Sequence, residues 1–235
     1  MKVALIDNGI NYDFPTLLQK RYEKIPFIRE RQPLKKPVLR RNHATICAWM
    51  MEKCYKQIEI VDLQALDCYG RATSSEVYNA LKWCYRNNIQ VINMSLGTIY
   101  IKDIQRLYPI IRKLIQKGCV IVAAYSNEGL QSYPACAKDV IGVRQDWLNL
   151  LKPYEYCLKE NQNIIVRVEE ELTIYGKQLK TVHSNSFATA FMTAFIAEKM
   201  DKKHLKNRGE VWRELEKDAK NDVNYFYNLL GCEYL

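Results

Sequence analysis

Four short runs constrain this chain more than anything else in it: "KVALID" from Lys2, "IEIVDLQAL" from Ile58, "IQVINMSLG" from Ile89 and "CVIVAAYSNEG" from Cys119. Each is apolar almost without a break, where a strand with one wet face would alternate apolar and polar residues. Such strands are buried on both faces, and the cover they need is a layer of helices on each side. Segments of helical spacing lie between them. "HATICAWMMEKCY" begins at His43, "EVYNALKWCYRNN" follows Ser74 or Ser75 as its cap, and "IQRLYPIIRKLIQKG" ends at Gly118, a residue type suited to closing a helix. Alternating strands and helices of this kind predict an α/β fold: a single domain over 1–235, a mostly parallel β-sheet flanked by helices on both faces.

Beyond Val140 the pattern changes. "NIIVRVEEELTIYGKQLKTV" is rich in β-branched residues and reads as one or two strands, in the manner of a hairpin. A helix is expected from about Ser186 to Met200, and a charged one from about Arg208 to Lys220. No apolar stretch approaches membrane-spanning length, which argues against a membrane protein. The eight cysteines form no C-x-x-C pair, so a zinc site or dense disulfide framework is not expected. With no secretion-signal pattern, they read as buried, reduced thiols of a cytoplasmic protein.

The net charge of +9 is uneven, with nine basic residues between Lys20 and Arg41 against Glu23 and Glu30. Pro26, Pro33 and Pro37 make that stretch an extended connection rather than a helix. It could attract an acidic peptide, anionic lipid or nucleic acid, but no zinc-finger or RNP motif accompanies it, which argues against nucleic acid.

Ligands of open α/β sheets bind beyond the carboxyl ends of the strands. There the sequence places Asp7-Asn8-Gly9, Asp67, Ser95-Leu96-Gly97 and Ser126-Asn127-Glu128-Gly129. Histidine is scarce: His43, His183 and His204 are all there are. A serine nucleophile needs a base for its proton and a carboxylate to orient that base. Asp7, His43 and Ser186 supply those types in the order acid, base, nucleophile. Each also has a plainer reading: Asp7 and Asn127 as turn residues, His43 beside a helix start, Ser184 or Ser186 as an N-cap. His183, three residues before Ser186, is the rival base; His204 lies in a Lys-rich surface stretch.

Taken in order, the blocks resemble those of the subtilisin-like serine peptidases. "VALIDNGI" is similar to an apolar strand ending in D-[ST]-G-[IV], and "NHATICA" to H-G-T-x-V-A. "VINMSLG" is similar to the strand that pairs with the substrate backbone, and "VIVAAYSNEG" to V-x-A-A-G-N-[ED]-G. "YPACAKDVIGV" resembles the following Y-P-A segment, and "SNSFATAFMTAFIA" resembles G-T-S-M-A-T-P-H-V-A-G. The resemblance implies a triad of Asp7, His43 and Ser186, and an oxyanion hole from the Asn127 amide and the Ser186 N–H. It implies a substrate pocket bordered by Ser95-Leu96-Gly97 and Ala124-Tyr125-Ser126; independently of the resemblance, the carboxylate of Glu128 at its rim is expected to favour a basic or polar side chain. No cofactor is implied, and no clustered ligand loop carries over the calcium common in the family.

The departures are specific. Ala44 stands for the family's glycine after the base, Asn8 for the small hydroxyl residue after the acid, and Ser126 for a glycine of the pocket. Ser184-Asn185 replaces Gly-Thr before the nucleophile, and Ala190 replaces proline. None of these removes a catalytic group. The expected activity is a serine endopeptidase acting on a peptide or protein substrate. Because the Asp block stands at the start of the chain, with no signal or pro-segment ahead of it, a cytoplasmic processing enzyme is expected. Its basic stretch would recruit an acidic leader peptide. The competing expectations are an inactive pseudopeptidase serving as a binding module, and a transpeptidase or macrocyclase using the same acyl-enzyme.

Overall fold

The computed structural model describes residues 1–12, 22–28, 42–159, 163–174, 177–180 and 184–220. Strand β1 (Lys2–Asp7) runs through the middle of the molecule. Its side chains divide as the pleat requires: Val3 and Leu5 join one hydrophobic cluster, Ala4 and Ile6 the other. This is why the run has no polar alternation.

Seven further strands extend the sheet: β2 (Lys24–Pro26), β3 (Glu59–Gln64), β4 (Val91–Met94), β5 (Val120–Ala124), β6 (Ile141–Gln145), β7 (Tyr156–Lys159) and β8 (Asn163–Val166). Their order is β2-β3-β1-β4-β5-β6-β8-β7. Every neighbouring pair is parallel except β7 and β8 at one edge. Helices α1 (His43–Cys54) and α4 (Asn185–Lys203) cover the face of Val3 and Leu5. Helices α2 (Ser74–Arg86) and α3 (Ile101–Gln116) cover the face of Ala4 and Ile6. A short helix α5 (Arg208–Leu215) adds Val211 and Leu215 to the first cluster. The α/β class, the mostly parallel sheet and the two helical layers are thus as the apolar runs predict.

Small residues recur along the buried side of helix α4, between Met192, Ile196 and Met200. Ala188, Ala190, Ala194 and Ala197 are fully buried there. Enlarging one of them to leucine would overpack the layer at a cost of about 1–3 kcal/mol.

Local details differ from the expectation where through-space partners decide. The cap of α2 is Thr73, not Ser74 or Ser75, because Thr73 and Glu76 bond reciprocally in a capping box. The segment expected as one or two strands, in the manner of a hairpin, holds three. β8 joins the main sheet, while β9 (Glu171–Ile174) and β10 (Lys177–Lys180) form a separate antiparallel pair. The last helix ends at Leu215, short of the expected Lys220. Most of the basic stretch, His183 and Cys232 lie outside the described residues.

The parallel registers fix what the sheet presents at its carboxyl edge. Ile6 pairs with Met94, and Met94 with Ala123. Asp7, Ser95 and Ala124 therefore leave the sheet side by side.

Candidate active site

Asp7 ends β1 with a buried carboxylate, and His43 opens α1 above it. His43 Nδ1 lies 2.9 Å from Asp7 Oδ1 and 2.8 Å from Oδ2. An ionised carboxylate only accepts, so the shared proton sits on Nδ1 and leaves Nε2 as the nitrogen able to take another. Burial disfavours the imidazolium, yet the charge of Asp7 and its hydrogen bond outweigh this and hold His43 above the ordinary imidazole range. The ring is still 28% exposed, enough for protons to reach it.

Asn8 explains how strand and helix are held in register. Its backbone N–H donates to Asp7 Oδ1 at 2.7 Å, and its side-chain Oδ1 accepts from Ala44 N–H at 3.0 Å. It thus orients the acid and satisfies a first-turn donor of the base-bearing helix. Nearby, Asn11 N–H donates to Thr45 Oγ1 at 2.8 Å and Asn11 Nδ2 to Asn42 Oδ1 at 2.9 Å. Gly9 makes the turn between them. Its φ is +85°, and a Cβ there would meet Lys24 Cε and Nζ at 2.7 Å.

Ser186 comes from the first turn of α4. Phe187, the next residue, packs its ring 5.6 Å from that of His43. Ser95 Oγ donates to the Ser186 carbonyl at 3.3 Å. Among the described residues Asp7 and His43 are joined by a hydrogen bond, and no hydrogen bond links Ser186 Oγ to His43. Beneath it runs a buried polar line that the sequence did not single out. Asn93 Nδ2 donates to Ser95 Oγ at 3.0 Å, and Thr193 Oγ1 donates to Asn93 Oδ1 at 2.9 Å.

Asn185 and Asn127 fix the start of α4. Ser184 occupies the N-cap position without a side-chain cap; instead, Asn127 Oδ1 accepts the Asn185 N–H at 2.9 Å. That commits Asn127 Oδ1 to the helix start and leaves its Nδ2 amide as the side chain's donor. The Asn185 side chain is buried and doubly used. Its Oδ1 accepts from Gln145 N–H at 2.8 Å, and its Nδ2 reaches the carbonyls of Tyr125 and Ser126, each at 3.1 Å.

A cleft of about 370 Å³ opens beside Ser186. Its lining includes the expected Ser95, Leu96, Gly97, Ala124, Tyr125 and Ser126, together with Asn127. Ser132, which the sequence did not single out, also lines it. Glu128 does not. It sits on the exposed loop, where its N–H donates to Ser126 Oγ at 3.1 Å. Asp67 is elsewhere engaged, accepting from Tyr69 and Arg71 N–H groups in its own turn, and His204 is exposed at the left-handed end of α4.

Among the described residues, one trio brings possible metal-ligand atoms within 4.8 Å of one another: Asp7, His43 and Cys47. Cys47 lies one turn after His43, and burial, followed by the Asp7 charge, pushes its thiol well above the usual range. With no metal present it is a neutral thiol and a poor nucleophile. No helix among the described residues is long and apolar enough to cross a membrane.

Comparison with known proteins agrees with this architecture. The sequence model of the subtilase family matches residues 1–145, and the chain belongs to that family. It is 25% identical over 244 aligned residues to subtilisin amylosacchariticus of Bacillus subtilis subsp. amylosacchariticus, covering 97% of this chain and 62% of that protein. It is also 25% identical to the subtilisin of Bacillus pumilus, covering 97% of this chain and 86% of the relative. Against the first of these, the chain spans a little over three fifths of the relative's length. Among solved structures, that of a lanthipeptide protease superposes with a TM-score of 0.70 at 19% identity, covering 94% of this chain and 80% of the other. That of a cold-adapted subtilisin-like serine proteinase gives 0.62 at 17%, covering 89% and 78%.

Proposed function

We propose that the chain is a serine endopeptidase that hydrolyses peptide bonds through Asp7, His43 and Ser186. The observation that carries this reading is the Asp7–His43 hydrogen-bonded pair, 2.8 Å at its shorter contact, whose imidazole packs 5.6 Å from the ring of Phe187, the residue next to Ser186. His43 Nε2 takes the Ser186 hydroxyl proton as Oγ bonds to the substrate carbonyl carbon. The carbonyl oxygen, now negative, is met by the Asn127 amide and the Ser186 N–H. The carbon–nitrogen bond then breaks as His43 returns the proton to the leaving amine, and water, deprotonated by His43, releases the acid. Asp7 keeps the proton on Nδ1 and stabilises the imidazolium throughout.

Substrates in this reading are specific peptides or proteins processed in the cytoplasm. Cys47, Cys54, Cys68, Cys84, Cys119 and Cys136 carry no disulfide, which suits a reducing compartment. The basic residues between Lys20 and Arg41 favour an acidic leader peptide. Affinity for such a peptide should fall as salt rises, and salt-insensitive binding would refute that part.

Labelling with a serine-directed fluorophosphonate and mapping of the adduct tests the chemistry. Capture at Ser186 that disappears in Ser186→Ala and in His43→Ala is the expected result. A folded wild type that stays unlabelled would leave the cleft a peptide-binding module. An acyl-enzyme that yields only amide-exchanged product would make the enzyme a transpeptidase.

A further inference from the structure

The two helical layers carry their charge differently. Helices α1 and α4 hold four basic residues, Lys53, Lys199, Lys202 and Lys203, and each is ion-paired, with Glu170, Asp218, Glu198 and Glu214 in turn. Helices α2 and α3 hold six, Lys82, Arg86, Lys102, Arg106, Arg112 and Lys113, against two acids, Glu76 and Asp103. None of these six makes an ion pair among the described residues.

Both acids are already in use. Glu76 closes the capping box with Thr73, and Asp103 accepts from the Thr98 hydroxyl at 3.1 Å. The cations meet neutral groups instead. Arg106 donates to the Ser75 hydroxyl, and Arg112 to the Tyr108 hydroxyl at 3.4 Å, its guanidinium 5.7 Å from that ring. Lys117, just past the end of α3, stands 4.1 Å from the Tyr85 ring. Five of the six are exposed and Lys82 is half-buried. Neutral partners leave the charge uncompensated, so this layer presents a field of one sign to solvent.

The charged face adjoins the cleft. The cleft beside Ser186 and a smaller cavity of about 90 Å³ share one wall, Leu96-Gly97-Thr98. That cavity is closed by Thr73, Ser74 and Val77 at the start of α2 and by Asp103 and Leu107 of α3. A chain lying along the shared wall therefore passes from Ser186 onto the first turns of both helices. From there the 16 residues of α3 run about 24 Å, the length of about seven extended residues.

We propose that the α2–α3 face is a docking surface for an acidic stretch of the substrate, held there while the bond to be cleaved lies at Ser186. This deepens the peptidase reading, rests on it for the bond cleaved, and gives the acidic leader peptide a place on two helices. Carboxylates match the lysines as point charges and the arginines in paired hydrogen bonds. The shared wall favours a peptide over nucleic acid or lipid, because a peptide also fits the cleft.

The test compares three substrates with one cleavage site: a short neutral peptide, the same peptide extended upstream by a Glu/Asp-rich run, and its Gln/Asn-rich counterpart. At low salt, wild type should cleave the acidic substrate with kcat/KM about tenfold or more above the Gln/Asn one, the gain lying in KM. Near 1 M salt, where the screening length is about 3 Å, the gain should vanish. The variant Lys102→Gln/Arg106→Gln/Arg112→Gln/Lys113→Gln keeps good helix formers. It should cut the gain below about threefold and leave kcat on the short peptide unchanged.

An undiminished gain in that variant overturns the proposal, as does a gain that salt does not touch. So does a gain lost only when Lys35, Lys36, Arg40 and Arg41 are changed instead. A single-stranded oligonucleotide of equal charge that binds the face more tightly than the acidic peptide assigns it to nucleic acid and also overturns it. Should wild type cleave none of the substrates, the peptidase reading fails separately. Binding of the two extended peptides to wild type and to the fourfold variant then decides the face. A tenfold preference for the acidic peptide, lost in the variant, upholds it, and equal binding rejects it.

Discussion

The two halves of the site are built on opposite plans. On the side of β1 and α1, the acid and the base are locked together: Asp7 holds both His43 and the Asn8 N–H, while Asn8 reaches Ala44. On the side of β5 and α4, Asn127 and Ser186 line a cleft. The closed half sets protonation and orientation before any ligand arrives; the open half keeps its hydrogen-bonding capacity for a ligand. Preorganisation and unsatisfied polarity are therefore separated in space, joined at His43 and Phe187.

The sharpest way to break this division is Asp7→Asn. The asparagine imposes the wrong imidazole tautomer, and activity should drop about 10⁴-fold. The sign of the pH effect follows from Asp7 raising the His43 pKa. Catalysis requires neutral His43, so wild-type activity is lost as pH falls through that elevated value, and the acid limb of the residual activity should move to lower pH in Asp7→Asn. A limb that stays in place would show that the pair does not govern the base.

Asn127→Ala probes the open half and should lower kcat by about 10²–10³. It also removes the acceptor that caps the Asn185 N–H. A companion loss of about 1 kcal/mol, near 2–4 °C in Tm, is expected. Asn127→Asp keeps an acceptor for the cap but removes the Nδ2 donor, so it should retain more of the stability while losing the rate.

The closed half has one exception. Buried Asp62 accepts from the Ile10 N–H at 2.8 Å, but its Oδ1 has no partner among the described residues. Burial pushes its pKa up to about 6 against the Ile10 bond and Lys24, with Asp7 adding to the rise. A folded acid with a raised pKa binds its proton more tightly than the unfolded chain, so it costs stability as pH climbs from about 4 to 6. Relative to Asp62→Asn, wild type should lose up to about 3 kcal/mol between pH 4 and pH 7. Parallel urea curves for the two proteins across that range would contradict this.

The smallest effect is expected at Glu128. Its exposed carboxylate is screened, so Glu128→Gln should change the relative cleavage of peptides with Lys or Gln before the scissile bond by less than about threefold. A larger change would give the rim a role in selection that the cleft lining does not suggest.

Sequence patterning carried the fold and the chemistry-bearing residue types unevenly. The central strands were legible because Val3 to Ile6 and Val120 to Ala123 are apolar on both faces of the pleat. β2 and β7 were not, since a three-residue edge strand such as Lys24–Pro26 is defined by its partner rather than by its own pattern. Asp7, His43 and Asn127 stand at element ends that turn residues mark. Ser132 carries no such mark; only the fold brings it into the cleft lining. Asn93 and Thr193 are a hundred positions apart along the chain, so no local pattern links them.

The Asn185 anchorage has a consequence for evolution and engineering. A residue that serves β5, β6 and the first turn of α4 at once cannot drift alone; its replacement is tolerated only if the carbonyls of Tyr125 and Ser126 and the Gln145 N–H find new company together. Grafting the Gly-Thr pair typical of relatives into this chain would therefore be an epistatic change rather than a restoration. The sequence history of this chain should show its loops and its serine-bearing helix changing in concert.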